Sequence, residues 1–181
     1  MVRVEKPTVY FSEPGPENTD DVIEAVAKRL ESDITKVVVA STSGETGARF
    51  AEALKRKARV IAVSHEEMNR DLKERTVKMG GVAVDEIHLP LHGRGMDDVR
   101  NAFYSFGQGL KVAVEVILIA ADKGLLDSGE IVIGVAGSGT GADTAIVARA
   151  TKTREMFSED SSKKLEIKEV VAMPLKKEWW D

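Results

Sequence analysis

The residues best suited to chemistry fall in two short runs rich in hydroxyls and glycine. One is Ser41-Thr42-Ser43-Gly44-Glu45-Thr46-Gly47 and the other is Gly137-Ser138-Gly139-Thr140-Gly141-Ala142-Asp143-Thr144. The first follows a β-branched run, Val37-Val38-Val39, and leads into a helical pattern with Phe50 and Leu54 four apart. A strand, a tight loop and a helix start present N–H groups and a dipole that favour an anion. Serine and threonine hydroxyls add donors to the same oxygens. Such residues also cap helices with no ligand at all. Ser41, Ser43, Gly44 and Thr46 therefore read either as a capped turn or as an anion site.

The second run follows the strand-like Ile131–Ala136 and matches the G-x-G-x-x-A form of the dinucleotide fingerprint. That fingerprint requires a helix after it. Thr144-Ala145-Ile146-Val147-Ala148 is instead β-branched and is expected to return as an antiparallel strand, which rejects a nicotinamide dinucleotide site. Neither run contains Gly-Lys-Ser/Thr, so neither is a Walker loop. A third candidate is Lys111 with Glu115, four residues apart in an otherwise apolar helix. They read as a satisfied structural pair or as polar groups aimed at a ligand from inside the core. His65, His88 and His92 lack the spacing of one metal site and read as loop or strand-end histidines. With no cysteine, disulfides, thiol catalysis and thiolate zinc sites are excluded.

The elements that must position these residues follow in order. Thr8–Phe11 reads as a short strand, and Ser12–Asn18 as a run of turn formers. Asn18 or Thr19 caps a helix with Asp20 and Asp21 in its first turn and Val22, Ile23, Val26, Ala27 and Leu30 as its apolar stripe. Strand Lys36–Ala40, a helix over about Thr46–Lys57 and strand Arg59–Ser64 form a βαβ unit. His65 opens a polar helix to about Met79, Gly80-Gly81 ends it, and Val82–Leu89 is a third strand. A long helix starts near Asp97 with Phe103, Phe106 and Leu110 on one face, and Gly107-Gln108-Gly109 interrupts it. It is apolar nearly all round from Leu110 to Ala121. After the Ile131–Ala136 strand and its return comes a charged loop, then a last strand over Leu165–Met173.

Counting strands from Lys36, this pattern predicts an α/β three-layer sandwich with a mostly parallel sheet, order 3-2-1-4-5, strand 5 antiparallel. Ligands in such sheets sit at the carboxyl ends where the winding reverses, here between strands 1 and 4. The two glycine-and-hydroxyl runs leave those strands, which favours a small-molecule ligand bearing phosphate.

A single domain is expected for 181 residues, and 43% hydrophobic content supports a full core. A net charge of −4 gives no electrostatic case for nucleic acid or an acidic membrane. Met1–Lys6 lacks an apolar leader core, and Val112–Ala121 is too short to span a bilayer, so a cytoplasmic protein is expected. Three asparagines, one glutamine and 31% charged residues resemble the composition of heat-adapted proteins. Trp179-Trp180 reads as a packing or partner patch, compatible with a homo-oligomer.

Val37–Ser64, with Ser41–Thr46 and Ile61-Ala62-Val63-Ser64, resembles the C-terminal domain of pyruvate kinase, where such a loop binds effector phosphates. Further motifs are Tyr10-Phe11, Pro14-Gly15, Glu17-Asn18-Thr19, Phe106–Glu115 and Gly139-x-Gly141-Ala142-Asp143-Thr144-Ala145. Together they are similar to the stand-alone pyruvate kinase α/β-domain-like proteins of archaea and bacteria. The resemblance implies the pyruvate kinase C-terminal-like α/β fold and a flavin mononucleotide (FMN) ligand, with no established reaction. Under it, Ser41, Ser43, Gly44 and Thr46 hold the phosphate, and Gly137, Gly139, Thr140, Gly141, Asp143 and Thr144 close over the ribityl chain or ring. Asn18, Thr19, Ser64 and His65 lie along the edge, and Gln108, Lys111 and Glu115 join from the helix motif. A regulatory module sensing another phosphorylated metabolite and a flavin-dependent oxidoreductase stand as alternatives. Glu45 sits where pyruvate kinase loops often carry a basic residue, which disfavours a sugar bisphosphate. The segment after His65 lacks the glycine-rich continuation of the group. Pyruvate kinase activity is not expected, because its barrel alone needs roughly 250 residues.

Overall fold

Side-chain alternation along Lys36–Ala40 sets the architecture. Val37 and Val39 pack into one apolar cluster and Val38 into another, and all three are fully buried. A strand buried on both faces belongs at the centre of a sheet covered by helices on each side. The computed structural model describes residues 2–31, 33–85 and 88–179 and has that arrangement. The elements are β1 (Val9–Phe11), α1 (Thr19–Arg29), β2 (Lys36–Ala40), α2 (Glu45–Leu54), β3 (Arg59–Val63), α3 (Arg70–Lys78) and β4 (Val82–Val84). They continue as α4 (Asp97–Tyr104), α5 (Gln108–Asp122), β5 (Ile131–Ala136), β6 (Thr144–Arg149) and β7 (Glu166–Pro174).

The sheet order is β1-β7-β6-β5-β2-β3-β4. Within it, β4-β3-β2-β5-β6 reproduces the expected 3-2-1-4-5 order, and β6 is antiparallel to β5 as its sequence indicated. The expected five-stranded order is nonetheless too small, since the sheet has seven strands among the described residues. β7 pairs antiparallel with β6, and β1 pairs parallel with β7 through Val9↔Ala172 and Phe11↔Pro174. The reason is the burial of β6 on both faces, because a central strand of that kind needs both edges paired. α5 covers one face, packing Val114, Ile117 and Leu118 with Val38, Ile61 and Ile146. α1 and α2 cover the other, packing Val22, Val26, Phe50 and Leu54 with Val37, Val39, Ile133 and Val135.

Several boundaries differ from expectation. α3 starts at Arg70, not His65, because Asn69 Oδ1 accepts hydrogen bonds from the Asp71 and Leu72 N–H groups at 3.0 and 3.2 Å and caps the helix there. The third strand covers only Val82–Val84 of the expected Val82–Leu89, and residues 86–87 lie outside the described ones. A 3-10 turn, Pro90–His92, follows. The long helix is broken as expected, with Gly107 at φ +99° between α4 and α5. The break resets the helical phase, so the Phe103–Phe106–Leu110 face does not form and Phe106 is 53% exposed. Asn18 does not cap α1 with its side chain, which donates to the Glu13 carbonyl at 3.0 Å.

The C-terminal residues run back across the α4–α5 break. Glu178 accepts from the Gln108 N–H at 3.1 Å, and the Trp179 indole donates to the Tyr104 carbonyl at 2.5 Å. Trp180 lies outside the described residues. No helix among the described residues is long and apolar enough to cross a membrane.

Candidate functional site

A cleft of about 620 Å³ opens at the carboxyl ends of β2, β3 and β5, where the winding reverses. Twelve of the expected site residues line it: Ser41, Ser43, Thr46, Ser64, His65, Gln108, Lys111, Glu115, Gly137, Gly139, Thr140 and Gly141. Asn18, Thr19, Gly44, Asp143 and Thr144 do not. These five shape the loops behind the lining.

At the β2–α2 turn, the Ser41 N–H donates to the Val63 carbonyl at 2.9 Å, tying the loop to the next strand. Its Oγ accepts from the Gly47 N–H at 2.9 Å, and Ser43 Oγ accepts from the Glu45 N–H at 3.3 Å. Both serines thus cap α2, and their hydroxyl hydrogens remain able to donate. Gly44 turns the chain at φ +95°, a conformation that side chains disfavour. Thr46 Oγ1 has no hydrogen-bond partner among the described residues and lines the cleft in the first turn of α2. That hydroxyl, beside a helix N-terminus, is suited to an anionic oxygen.

The β5–β6 loop is shaped from behind. Asp143, fully buried, accepts from the Ser138 N–H at 2.9 Å and from the Thr144 hydroxyl at 2.7 Å. Thr19 Oγ1 accepts from the Ala142 N–H at 3.0 Å and donates to the Pro16 carbonyl at 2.6 Å. This explains the Glu-Asn-Thr motif at the start of α1: Thr19 braces the second loop across 123 residues. The loop leads into strand β6, not a helix, so it adds no helix dipole of its own, whereas α2 and α5 each start among the lining residues.

The α5 side of the cleft is apolar, formed by Val112, Val116 and Ile119, with a charged group among them. Lys111 and Glu115 are 2% and 1% exposed, and Lys111 Nζ donates to Glu115 Oε2 at 2.5 Å. Glu115 Oε1 also accepts from the Leu91 N–H at 2.9 Å, which holds the Pro90–His92 turn against α5. Lys111 Nζ lies 2.7 Å from His92 Nε2 and 5.8 Å from the Tyr104 ring centroid. Burial pushes the Lys111 pKa below its ordinary value, and the Glu115 hydrogen bond opposes that shift. His92 is also lowered, by burial first and by the Lys111 charge second. Gln108 Oε1 is buried with no hydrogen-bond partner among the described residues, and Gln108 lines the cleft.

His92 and Tyr104 are cleft residues that sequence reasoning missed. No spacing marks either, since both reach Lys111 only through the fold. His65, by contrast, faces Glu66 at 3.4 Å with nearly half its side chain exposed. Among the described residues, no group of three or more potential ligands could hold a metal ion.

A sheet clad by helices on both faces, with a hydroxyl-lined helix start at its switch point, defines a doubly wound α/β domain with a cleft at that point. Residues 20–148 match the family of the pyruvate kinase α/β domain, and the chain belongs to that family.

Proposed function

We propose that the cleft binds a phosphate-bearing nucleotide, and specifically FMN. The observation that carries this reading is the pairing of unlike ends in one cleft. One end has the Thr46 hydroxyl at the α2 N-terminus, and the other has apolar walls with the unpartnered acceptor Gln108 Oε1. Phosphate fits the first, held by Thr46 and by the serine hydroxyls of Ser41 and Ser43. A planar ring bearing an N–H donor fits the second, against Val112, Val116 and Ile119 with Gln108 accepting. A lone phosphate would leave that acceptor unused. Glu66 and Glu67 also line the cleft, which disfavours a second phosphate and supports a mononucleotide over a sugar bisphosphate.

In this reading the chain itself binds and orients. The β2–α2 turn fixes the phosphate, and the Gly137–Gly141 loop, braced by Thr19 and Asp143, covers the middle of the ligand. The apolar α5 face limits water at the ring. A bound flavin supplies electron-transfer chemistry.

The test is direct. The purified protein should carry flavin absorbance or take up FMN, and FMN should raise its thermal midpoint more than riboflavin, which lacks the phosphate. No shift with FMN would sink the reading. A shift with another phosphorylated metabolite and none with FMN would select the second reading, a regulatory module, which the effector-binding type of loop supports.

A further inference from the structure

Among the described residues lining the cleft, Lys111 is the one lysine or arginine. It belongs to α5, on the opposite face of the sheet from α2, so it is not part of the anion turn around Thr46. A purely structural pair would need only Glu115. Such a buried pair gains little over apolar residues of similar volume. Here a second base is set against the ammonium, His92 Nε2 at 2.7 Å, which adds nothing to the pairing of opposite charges. Glu115 fixes both partners, Lys111 through Oε2 and the His92 turn through the Leu91 N–H. An ammonium has three donors. Glu115 and His92 take two, the third has no hydrogen-bond acceptor among the described residues, and Lys111 lines the cleft beside Val112, Val116 and Ile119, where weak screening strengthens a charge.

We propose that Lys111, held by Glu115 and His92, stabilises negative charge on the ring end of the bound ligand, so that the cleft is built for electron transfer. This rests on the reading that the ligand is FMN. A hydride from a dihydronicotinamide donor, delivered to ring nitrogen N5, would leave one negative charge at the N1–C2=O edge, and Lys111 would be the cation that stabilises it. His92 is a positioning residue: it reaches solvent on one side and holds Nζ on the other. The charged groups around it are Lys111 and Glu115 on α5, Arg100 on α4 and His65 after β3.

Sulfite probes this charge without any substrate. Its sulfur lone pair forms a bond to N5 of the oxidised ring, and the displaced electron pair ends as negative charge at the same N1–C2=O edge. The FMN-loaded protein is titrated with sulfite while the flavin absorbance is followed. Wild type should form the adduct. Lys111→Met should weaken sulfite binding about tenfold or more while changing FMN affinity far less, and Lys111→Arg should recover part of it. Should Lys111→Met alone fail to fold, the double variant Lys111→Met, Glu115→Leu removes both buried charges and is titrated in its place. A variant without the cation that binds FMN and sulfite as wild type does would overturn the inference and leave FMN binding intact. So would loaded wild type that ignores sulfite. Wild type that takes up no FMN overturns the reading beneath it instead.

Discussion

Lys111 Nζ and His92 Nε2 stand 2.7 Å apart across the boundary between core and solvent. Lys111 is almost wholly buried, whereas His92 is exposed, and nineteen residues separate them in the chain. Burial lowers the pKa of both groups, and the Lys111 charge lowers that of His92 further. Glu115 offsets part of this for both.

A pH dependence follows from His92. Its folded pKa is lowered from 6.5 by burial, the Lys111 charge, Arg100 and His65, with Glu115 opposing. The unfolded chain then binds more protons than the folded one as pH falls below about 6.5, so stability is present above that value and declines below it. The thermal midpoint of His92→Gln should fall less steeply across this range than that of wild type. Equal slopes would assign the dependence to other groups.

Thr46→Val should leave the fold intact and weaken binding of FMN. One hydrogen bond to a charged oxygen is worth about 1.5–3 kcal/mol, which corresponds to roughly 10- to 150-fold in affinity. Isothermal titration checks the affinity, and circular dichroism checks the fold. Wild-type affinity in this variant would move the phosphate away from α2.

The Lys111–Glu115 pair should behave in urea as a buried pair does. Lys111→Met alone leaves Glu115 unpaired in the core and should cost about 3–5 kcal/mol. Adding Glu115→Leu should restore most of that loss, although the Leu91 N–H then lacks its acceptor. Additive losses would mean that the two side chains are not coupled.

Gly109→Ala probes the contact between α5 and the second loop. A Cβ there would lie 2.2 Å from Thr144 Oγ1 and 2.8 Å from Asp143 Oδ1. Overpacking of this kind costs about 1–3 kcal/mol, and the shifted loop should also lower FMN affinity. An unaltered urea midpoint would show that α5 can retreat without disturbing Asp143.

Much of this was legible in the sequence where the determinants are local. The β-branched run at Val37–Val39, the helix start after Gly44 and the return at Thr144 are read within a few residues. The i,i+4 spacing of Lys111 and Glu115 and the break at Gly107–Gly109 are read in the same way. The pairing of β1 with β7 joins segments about 160 residues apart, and a three-residue strand carries no pattern long enough to announce that partner. The start of α3 was readable, since Asn69 is a capping residue, but the polar run from His65 obscured it. His92 and Tyr104 carry no mark at all, because a 3-10 turn and a helix end meet Lys111 only once α4 and α5 have packed. Phe106 leaves the expected apolar face because helical phase does not survive the glycine break.

The chain's last described residues are tied to the α4–α5 break, with Glu178 on the Gln108 N–H and the Trp179 indole on the Tyr104 carbonyl. Gln108 and Tyr104 both line the cleft. Trp179 is thereby tied to a lining residue of the cleft through its indole N–H. A ring arriving beside Tyr104 would be seen as quenched indole emission, with no label attached.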